Sequence, residues 1–185
     1  MRVIAGSAKG RRLFSPDGMD TRPTTDRVRE SLFSILAGRV TDARVLDLFA
    51  GSGALSIEAL SRGAQSAVIN DFSRQAVRCI ERNVNLTGFS DACVIMCRDW
   101  KSALERLRGH KFSLVFFDPP YSRLDYYTNA CEALARLDLL DEDATIVMER
   151  RSKDAIEIPD DFLLRDERRY GDTTIAFVTR RVSGE

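Results

Sequence analysis

The stretch VLDLFAGSGALSIEAL, residues 45–60, joins an apolar run to a glycine turn and then to a helical pattern. The run RVLDLF predicts a buried strand, and SGALSIEALSR predicts the helix that follows it. Between them, Gly51 and Gly53 let the backbone turn tightly and let a ligand approach it closely. The stretch therefore predicts the first strand, turn and helix of an α/β sheet, with a ligand site at the turn.

Further along the chain, strand-like and helix-like segments alternate. The later predicted strands are SAVIND, ACVIMCR, KFSLVFFD and ATIVMER. The helices between them are SRQAVRCIERNVNL, DWKSALERLR and YYTNACEALARL. This alternation predicts an α/β fold with a mostly parallel sheet and helices on both faces. The tail, FLLRDERRY and TTIAFVTRR around GD, predicts an antiparallel hairpin that completes a sheet of about seven strands.

The first 40 residues stand outside this alternation. MRVIAG and GRRLFSP predict a small hairpin, and TRPTTDRVRESLFSIL predicts a loop and a helix with Thr24 or Thr25 as N-cap. Residues 1–44 hold nine basic and five acidic residues, although the whole chain has a net charge of zero. Such asymmetry indicates an anionic partner, or simply a solvated face. We expect one domain, 1–185, with residues 1–40 extending a core at 41–185.

The composition excludes several classes of protein. At 185 residues and 44% apolar, the chain suits a globular domain with its own core. No secretory segment opens it and no run approaches the ~20 apolar residues that span a bilayer, so we expect a cytoplasmic protein. The four cysteines form no CxxC pair, and the only histidine, His110, lies in a polar turn. We therefore expect buried, reduced thiols and no metal site.

An acid stands at the end of each of the first four predicted strands: Asp47, Asp71, Asp99 and Asp118. Ligands of open α/β sheets bind outside these carboxyl ends, and an acid twenty residues after Gly51 suits ribose hydroxyls. The carboxylates would repel a phosphate-rich cofactor but not one that carries a sulfonium and an amine. This favours S-adenosylmethionine over NAD. Asp99 also suits a helix N-cap, because it opens DWKSALERL.

The segment SLVFFDPPYSR, residues 113–123, ends a buried strand with an acid, two prolines and a tyrosine. Neither proline can donate a backbone hydrogen bond, and each pushes the preceding residue toward extended geometry. The strand must stop there, and a stiff loop must hold Asp118 and Tyr121 in place. The alternative interpretation is a plain turn at the end of the strand.

Together these motifs resemble a known family. LDLFAGSGALSIEALSRGA followed by DPPY resembles the Rossmann-like S-adenosylmethionine-dependent methyltransferases. MRVIAGSAKGRRL, TRPTTDRVRESLFSIL and YGDTTIAF resemble the RsmD family, bacterial enzymes that methylate a guanine N2 in small-subunit (16S) ribosomal RNA. The resemblance runs from Met1 to about Val178 and implies a Rossmann-like methyltransferase fold. The chain departs from the family at Ser56, where glycine is common, and at Asp71, where glutamate is common.

The resemblance also implies catalytic roles. The Asp118 carboxylate and the Pro119 carbonyl would accept hydrogen bonds from the guanine amine, which is a poor nucleophile because its lone pair is delocalised. Pro120 would stiffen the loop, and Tyr121 would stack on the extruded base. The methyl group would then move in line from the sulfonium to the nitrogen.

Binding roles follow from the same resemblance. Asp71 would bind the cofactor's ribose, Phe72 would lie beside the adenine, and Asp99 would accept from the adenine amine. The full implied cofactor set is Asp47, Phe49, Ala50, Gly51, Gly53, Asp71, Phe72, Asp99 and Trp100. The implied contacts to RNA phosphates are Lys9, Arg11, Arg12, Arg22, Arg27 and Arg29. The implied partner is ribosomal RNA, within an assembled small subunit, and the protein would act as a monomer without a metal.

Other functions compete with this interpretation. DPPY suits the N6 amine of adenine in RNA or DNA as well as guanine N2, because both amines are conjugated. Enzymes that methylate protein glutamine more often carry asparagine at the position of Asp118. A nicotinamide oxidoreductase would leave DPPY without a purpose. An inactive RNA-binding module would not need an intact glycine loop and DPPY.

Overall fold

The structure is a computed structural model that describes residues 1–16 and 26–181. A seven-stranded sheet in the order β3-β2-β1-β4-β5-β7-β6 forms its centre. The strands are β1 (Arg44–Asp47), β2 (Ser66–Asp71), β3 (Cys93–Cys97), β4 (Phe112–Phe117), β5 (Leu140–Arg151), β6 (Phe162–Tyr170) and β7 (Thr173–Arg180). The helices are α1 (Asp26–Ile35), α2 (Ala54–Ser61), α3 (Arg74–Thr87), α4 (Trp100–Arg106) and α5 (Asp125–Arg136).

The first five strands are parallel, and β7 pairs antiparallel with both β5 and β6. The predicted α/β sheet with a C-terminal hairpin is therefore confirmed. Because β7 inserts between β5 and β6, it is the one strand of this sheet that runs against the others. Strand β5 begins four residues before the predicted ATIVMER, at Leu140. An irregularity in its pairing with β4 leaves Glu142 and Asp143 exposed, so these acids do not interrupt the buried part of the strand.

Helices cover both faces of the sheet, so the central strands are buried on both sides. Adjacent residues show the alternation: Phe116 packs into the core beneath α1, α2 and α3, whereas Phe117 packs into the core beneath α4 and α5. The cysteines follow the same rule. Cys79 and Cys131 are buried, but the prediction is wrong for Cys97, which is exposed because β3 lies at the edge of the sheet.

The N-terminal segment folds back on itself and against α2. A bridge joins Arg2 to Arg12, so the predicted hairpin forms as a single bridge rather than as two strands. At its turn, Gly6 has a φ of +81°, and a Cβ there would lie 1.7 Å from the backbone oxygen of Ser61. Glycine is required at this position by both the backbone angle and the close approach. The predicted caps Thr24 and Thr25 lie outside the described residues.

The described residues, 1–16 and 26–181, lack both a membrane-spanning helix and a cluster of metal ligands. No helix in these ranges is long and apolar enough to cross a membrane. Within the same ranges, no group of three or more histidine, cysteine or acidic side chains is placed to hold a metal ion.

Candidate active site

Three of the predicted acids meet at one edge of the sheet. Strand β1 lies between β2 and β4, so Asp47 at its end is flanked by the ends of the two neighbouring strands. Asp71 ends β2, and Asp118 directly follows β4. Asp47 and Asp71 are buried, and Asp118 is half-buried. The sheet topology therefore gathers three carboxylates beside the glycine loop.

The glycine loop is tied to the end of β2. Gly51 and Gly53 adopt φ angles of +56° and +76°, which side chains with a Cβ rarely adopt. Asp71 accepts hydrogen bonds from the amides of Gly51 and Ser73, both at 2.9 Å. A Cβ built on Gly51 would meet no atom within 4 Å, so open space lies over the loop. This open space and the adjoining carboxylates form a cradle for a cationic ligand.

Ser56, the departure from the family's glycine, has a structural reason. Its hydroxyl donates to Oδ2 of Asp47 at 2.9 Å, and both groups are buried. The pKa of Asp47 is raised to about 7, chiefly by burial and to a smaller degree by the charge of Asp71, while hydrogen bonds from Ser56 oppose both effects. Asp47 is therefore near its titration midpoint at neutral pH. Burial also raises the pKa of Asp71.

The raised pKa of Asp47 predicts a pH-dependent stability. An ordinary aspartate ionises near 3.8, whereas Asp47 ionises at about 7 in the folded protein. Between these values the unfolded chain releases the proton first, so the free energy of unfolding falls as pH rises from about 4 to 7. The gap corresponds to an upper bound of roughly 4 kcal/mol. Replacing Asp47 with asparagine should remove this component.

Urea unfolding of both proteins between pH 4.5 and pH 8 would check this prediction. The difference between the two pH profiles reports Asp47 together with its effect on Asp118, whose pKa the Asp47 charge helps to raise, while burial keeps the pKa values of Asp71 and Asp118 raised in both proteins. Parallel profiles for the wild type and Asp47→Asn would contradict it.

The DPPY loop begins directly after β4, at the edge of the sheet. Pro119 is buried and Pro120 is exposed, and the Pro120 carbonyl accepts from the Arg123 amide at 2.9 Å. The Arg151 guanidinium lies 4.5 Å from the centroid of the Tyr121 ring. The loop thus places the Asp118 carboxylate and the Tyr121 ring beside the carboxylate edge.

Glu149 is a site residue that sequence reasoning missed. It is buried in β5, and the β4–β5 register carries it alongside Asp118, one step past the pairing of Phe117 with Met148. Burial raises the pKa of Asp118 well above its usual range, and the charges of Glu149 and Asp47 raise it further. An acid within the apolar run ATIVMER, at the end of the fifth parallel strand, was the available signal.

The aromatic residues of the predicted cofactor set divide into two groups. Phe72 is 68% exposed at the end of β2, where a flat ligand can reach its ring. Trp100 is instead buried, with its ring centroid 5.5 Å from that of Tyr126. Phe49 packs edge-on against Phe117 at 5.0 Å. Trp100 is thus part of the packed core, Phe49 is half-buried beside it, and the contacts of both with the cofactor stay predictions.

Asp99 caps a helix, as the alternative interpretation proposed. Its Oδ1 accepts from the amides of Lys101 and Ser102, both at 3.1 Å, at the start of α4. Hydrogen bonds from Ser102 lower the pKa of Asp99. Both of these bonds to backbone amides use the same carboxylate oxygen, and the contact of Asp99 with an adenine amine stays a prediction.

The predicted RNA contacts differ in accessibility. Lys9, Arg11, Arg12 and Arg27 are exposed, and Arg22 lies outside the described residues. The prediction is wrong for Arg29, which is 1% exposed. Its guanidinium donates to Asp26 at 3.0 Å and to the Arg2 carbonyl, and burial lowers its pKa. The inner face of α1 points Arg29 into the protein, where it cannot reach a phosphate.

Glu58 explains why Arg29 is buried. This fully buried carboxylate of α2 accepts from the amides of Ile4 and Ala5 at 2.7 and 3.0 Å, and from Arg62 Nε at 2.7 Å. Arg29 Nε lies 4.0 Å from it. Glu58 therefore fastens the N-terminal segment to the core. A lone acid in the apolar helix ALSIEALS was its only sequence signal.

Comparison with known proteins places this arrangement in a family. The model of the family described as "Conserved hypothetical protein 95" matches residues 1–179. YlbH of Bacillus subtilis (strain 168) is 36% identical over 98% of this chain and all of its own length. "Ribosomal RNA small subunit methyltransferase D" of Escherichia coli (strain K12) is 34% identical, covering all of this chain and 92% of that protein.

A solved structure supports the same assignment. The yhhF protein of Escherichia coli superposes with a TM-score of 0.87 at 32% identity, over 99% of each chain. The Rossmann-like methyltransferase fold predicted from the motifs is confirmed by this likeness. The chain therefore belongs to the conserved hypothetical protein 95 family, the RsmD-type S-adenosylmethionine-dependent methyltransferases.

Proposed function

We propose that this protein transfers a methyl group from S-adenosylmethionine to the exocyclic N2 amine of a guanine in small-subunit (16S) ribosomal RNA. The observation that carries the proposal is the position of Asp118 and Pro119, which follow β4 directly and lie beside the glycine loop. The relatives described above support the substrate class, because one of them is named a ribosomal RNA small subunit methyltransferase.

The cofactor suits the charge of the sheet edge. S-adenosylmethionine supplies an electrophilic methyl group on a sulfonium, and it also carries an ammonium group. The carboxylates of Asp47 and Asp71 complement these cations, while the open space over Gly51 admits the ligand close to the backbone. Asp71 would hold the ribose hydroxyls, and exposed Phe72 would lie against the adenine.

The acceptors of the DPPY loop would orient the target amine. The Asp118 carboxylate and the Pro119 carbonyl would each accept one N–H of the guanine NH2. Two fixed acceptors turn the nitrogen lone pair out of the ring plane toward the methyl group, and the prolines keep those acceptors from reorganising. Tyr121 would stack on the flipped base, which is worth roughly 1–3 kcal/mol.

Removing the proton from the methylated nitrogen requires less of the protein than orienting the amine does. Methylation makes the nitrogen acidic, so the proton can pass to water without a strong base. Burial and the charges of Glu149 and Asp47 raise the pKa of Asp118, so this carboxylate takes a proton more readily than an ordinary aspartate does. Orientation of the amine, rather than its deprotonation, is the main role of this carboxylate.

The N-terminal extension, residues 1–40, would position the RNA. Exposed Lys9, Arg11, Arg12 and Arg27 suit contacts to phosphates, which hold RNA in place without reading its sequence. Because the net charge of the chain is zero, we expect weak binding to naked RNA and better binding to an assembled small subunit. We propose a monomer that acts in the cytoplasm, where such subunits lie.

A methyl-transfer assay tests the function. Small subunits from cells that lack this protein would be incubated with tritiated S-adenosylmethionine, and the RNA would be digested to nucleosides for mass spectrometry. Label in N2-methylguanosine is expected. Label in N6-methyladenosine would keep the amine chemistry but overturn the substrate, and no label in RNA would overturn the proposal. Equal rates on naked RNA and on subunits would contradict the preference for the assembled particle.

A further inference from the structure

Helix α3 carries a row of three arginines on its outer face. Arg74, Arg78 and Arg82 follow one another at intervals of four residues, and all three are exposed. Residues four apart lie on one face of a helix, so the three side chains form a line about 12 Å long. The opposite face buries Ile80 and Val84 in the core. We call Arg74, Arg78 and Arg82 the arginine row.

Within residues 1–16 and 26–181, the arginine row has no acidic partner. Among the described residues, no acidic side chain lies within 4.0 Å of any of the three guanidinium groups, and this includes Glu81 of the same helix. Arg108 and Arg136, by contrast, both pair with Glu105. Like charges four residues apart destabilise a helix, so the repulsion within the row is a cost to α3.

Phe14 extends the row and gives it a second feature. The ring is 40% exposed, and the Arg82 guanidinium lies 3.2 Å from its centroid. Stacking fixes the plane of a guanidinium while its N–H edges stay free for an anion. Surfaces that bind single-stranded nucleic acid combine positive charge along the backbone with aromatic rings.

A buried amide joins this surface to the cofactor loop. Asn83 is fully buried, accepts from the Phe14 amide at 2.8 Å and donates to the Phe14 carbonyl at 2.9 Å. Its remaining N–H donates to the carbonyl of Ser52, between the two loop glycines, at 2.9 Å. Phe14 and Arg82 are thereby held at a defined position relative to the candidate active site.

We propose that the arginine row, together with Phe14, binds the phosphate backbone of the substrate RNA. Guanidinium groups match phosphate geometry through paired N–H donors. A row of positive charge favours an anionic partner over an apolar or a cationic one. The row begins at Arg74, three residues beyond Asp71, so it leads away from the cofactor edge along the protein surface. This inference rests on the proposed function, because RNA is the anion in question.

Salt-dependent binding tests the inference. The variant Arg74→Gln/Arg78→Gln/Arg82→Gln would be compared with a control, Arg106→Gln/Arg108→Gln/Arg136→Gln, which removes the same charge from α4, the turn after it and α5 on the other face of the sheet. Binding to a small-subunit RNA fragment and to small subunits would be measured across NaCl concentrations with S-adenosylhomocysteine present. The slope of log K against log salt is negative, and each lost phosphate contact reduces its magnitude by about 0.7–0.9.

The arginine-row variant is expected to reduce the magnitude of that slope by about two and to raise KM for RNA by about tenfold. Its kcat and its affinity for S-adenosylhomocysteine should stay within about twofold, since the row does not touch the cofactor loop. The control variant should match the wild type. A second variant, Phe14→Leu, keeps the backbone bonds to Asn83 and should raise KM by a smaller factor.

Three outcomes would overturn the inference. One is an unchanged slope and KM in the arginine-row variant, and another is an equal change in the control. The third is a loss of binding to subunits but not to RNA, which would show that the row contacts a ribosomal protein.

If the wild type binds RNA through the row but methylates no guanine, the proposed function fails and the inference stands. If it methylates RNA equally well without the row, only the inference fails.

Discussion

Replacing Asp118 with alanine is expected to lower kcat for methyl transfer by about 10²–10³-fold, the usual effect of removing one preorganised hydrogen-bonding group from an active site. The carboxylate would accept an N–H of the target amine, and alanine leaves that N–H without an acceptor. Affinity for S-adenosylhomocysteine should change little, because Gly51 and Ser73 bond to Asp71 and not to Asp118. Single-turnover transfer and calorimetric titration would measure the two quantities.

Two further variants sharpen this test. Asp118→Asn keeps one carbonyl acceptor and should retain more activity than alanine. Asp125→Asn changes a nearby exposed acid that pairs with Arg123 at 3.0 Å, and it should behave like the wild type. An Asp118→Ala enzyme with normal kcat would exclude the carboxylate from the reaction. Lost cofactor affinity at normal kcat would instead move Asp118 into the cofactor site.

Replacing Glu58 with glutamine is expected to lower the free energy of unfolding by about 3–5 kcal/mol, the cost of breaking a buried ion pair from one side. Glutamine has nearly the same volume, so no cavity forms. It removes the charge that faces Arg29 and Arg62, and it turns an NH2 group toward backbone amides that need an acceptor. Urea unfolding would measure the change.

In Glu58→Gln, the N-terminal segment should be the first part of the protein to be destabilised. Ile4 and Ala5 both donate to Glu58, so limited proteolysis should cut within residues 1–16 faster in Glu58→Gln than in the wild type. Glu30→Gln is the control, because Glu30 is exposed on α1 and such substitutions usually stay within about 0.5 kcal/mol. Equal stability and equal proteolysis of Glu58→Gln and the wild type would show that Glu58 is not the anchor.

Local patterns predicted most of the fold. The alternation of apolar strands and amphipathic helices depends on spacing within about ten residues, and it correctly indicated all seven strands and the four helices that follow β1 to β4. The grouping of the acids at the strand ends could also be predicted, because parallel strands have their carboxyl ends at the same edge of the sheet. Asp47, Asp71 and Asp118 could therefore be grouped before their positions were known.

Long-range packing decided what those patterns could not express. Arg27 and Arg29 are two residues apart in a basic segment, yet one is exposed and the other is buried. The difference arises because Arg2 and Glu58, which are 27 and 29 residues from Arg29 in sequence, close over one face of α1. Glu149 could likewise be assigned to the site only when the β4–β5 register placed it beside Asp118.

The sequence by itself determined the order of strands and helices, the glycine loop, and the acid–proline loop that follows β4. Each of these is set by residues adjacent in the chain, whose backbone preferences and spacing act locally. Only the tertiary structure decided which charges are buried and which face solvent, including the exposed row on α3 and its contact with Phe14. The burial of a charge depends on the segments that fold over it, and those segments come from distant parts of the chain.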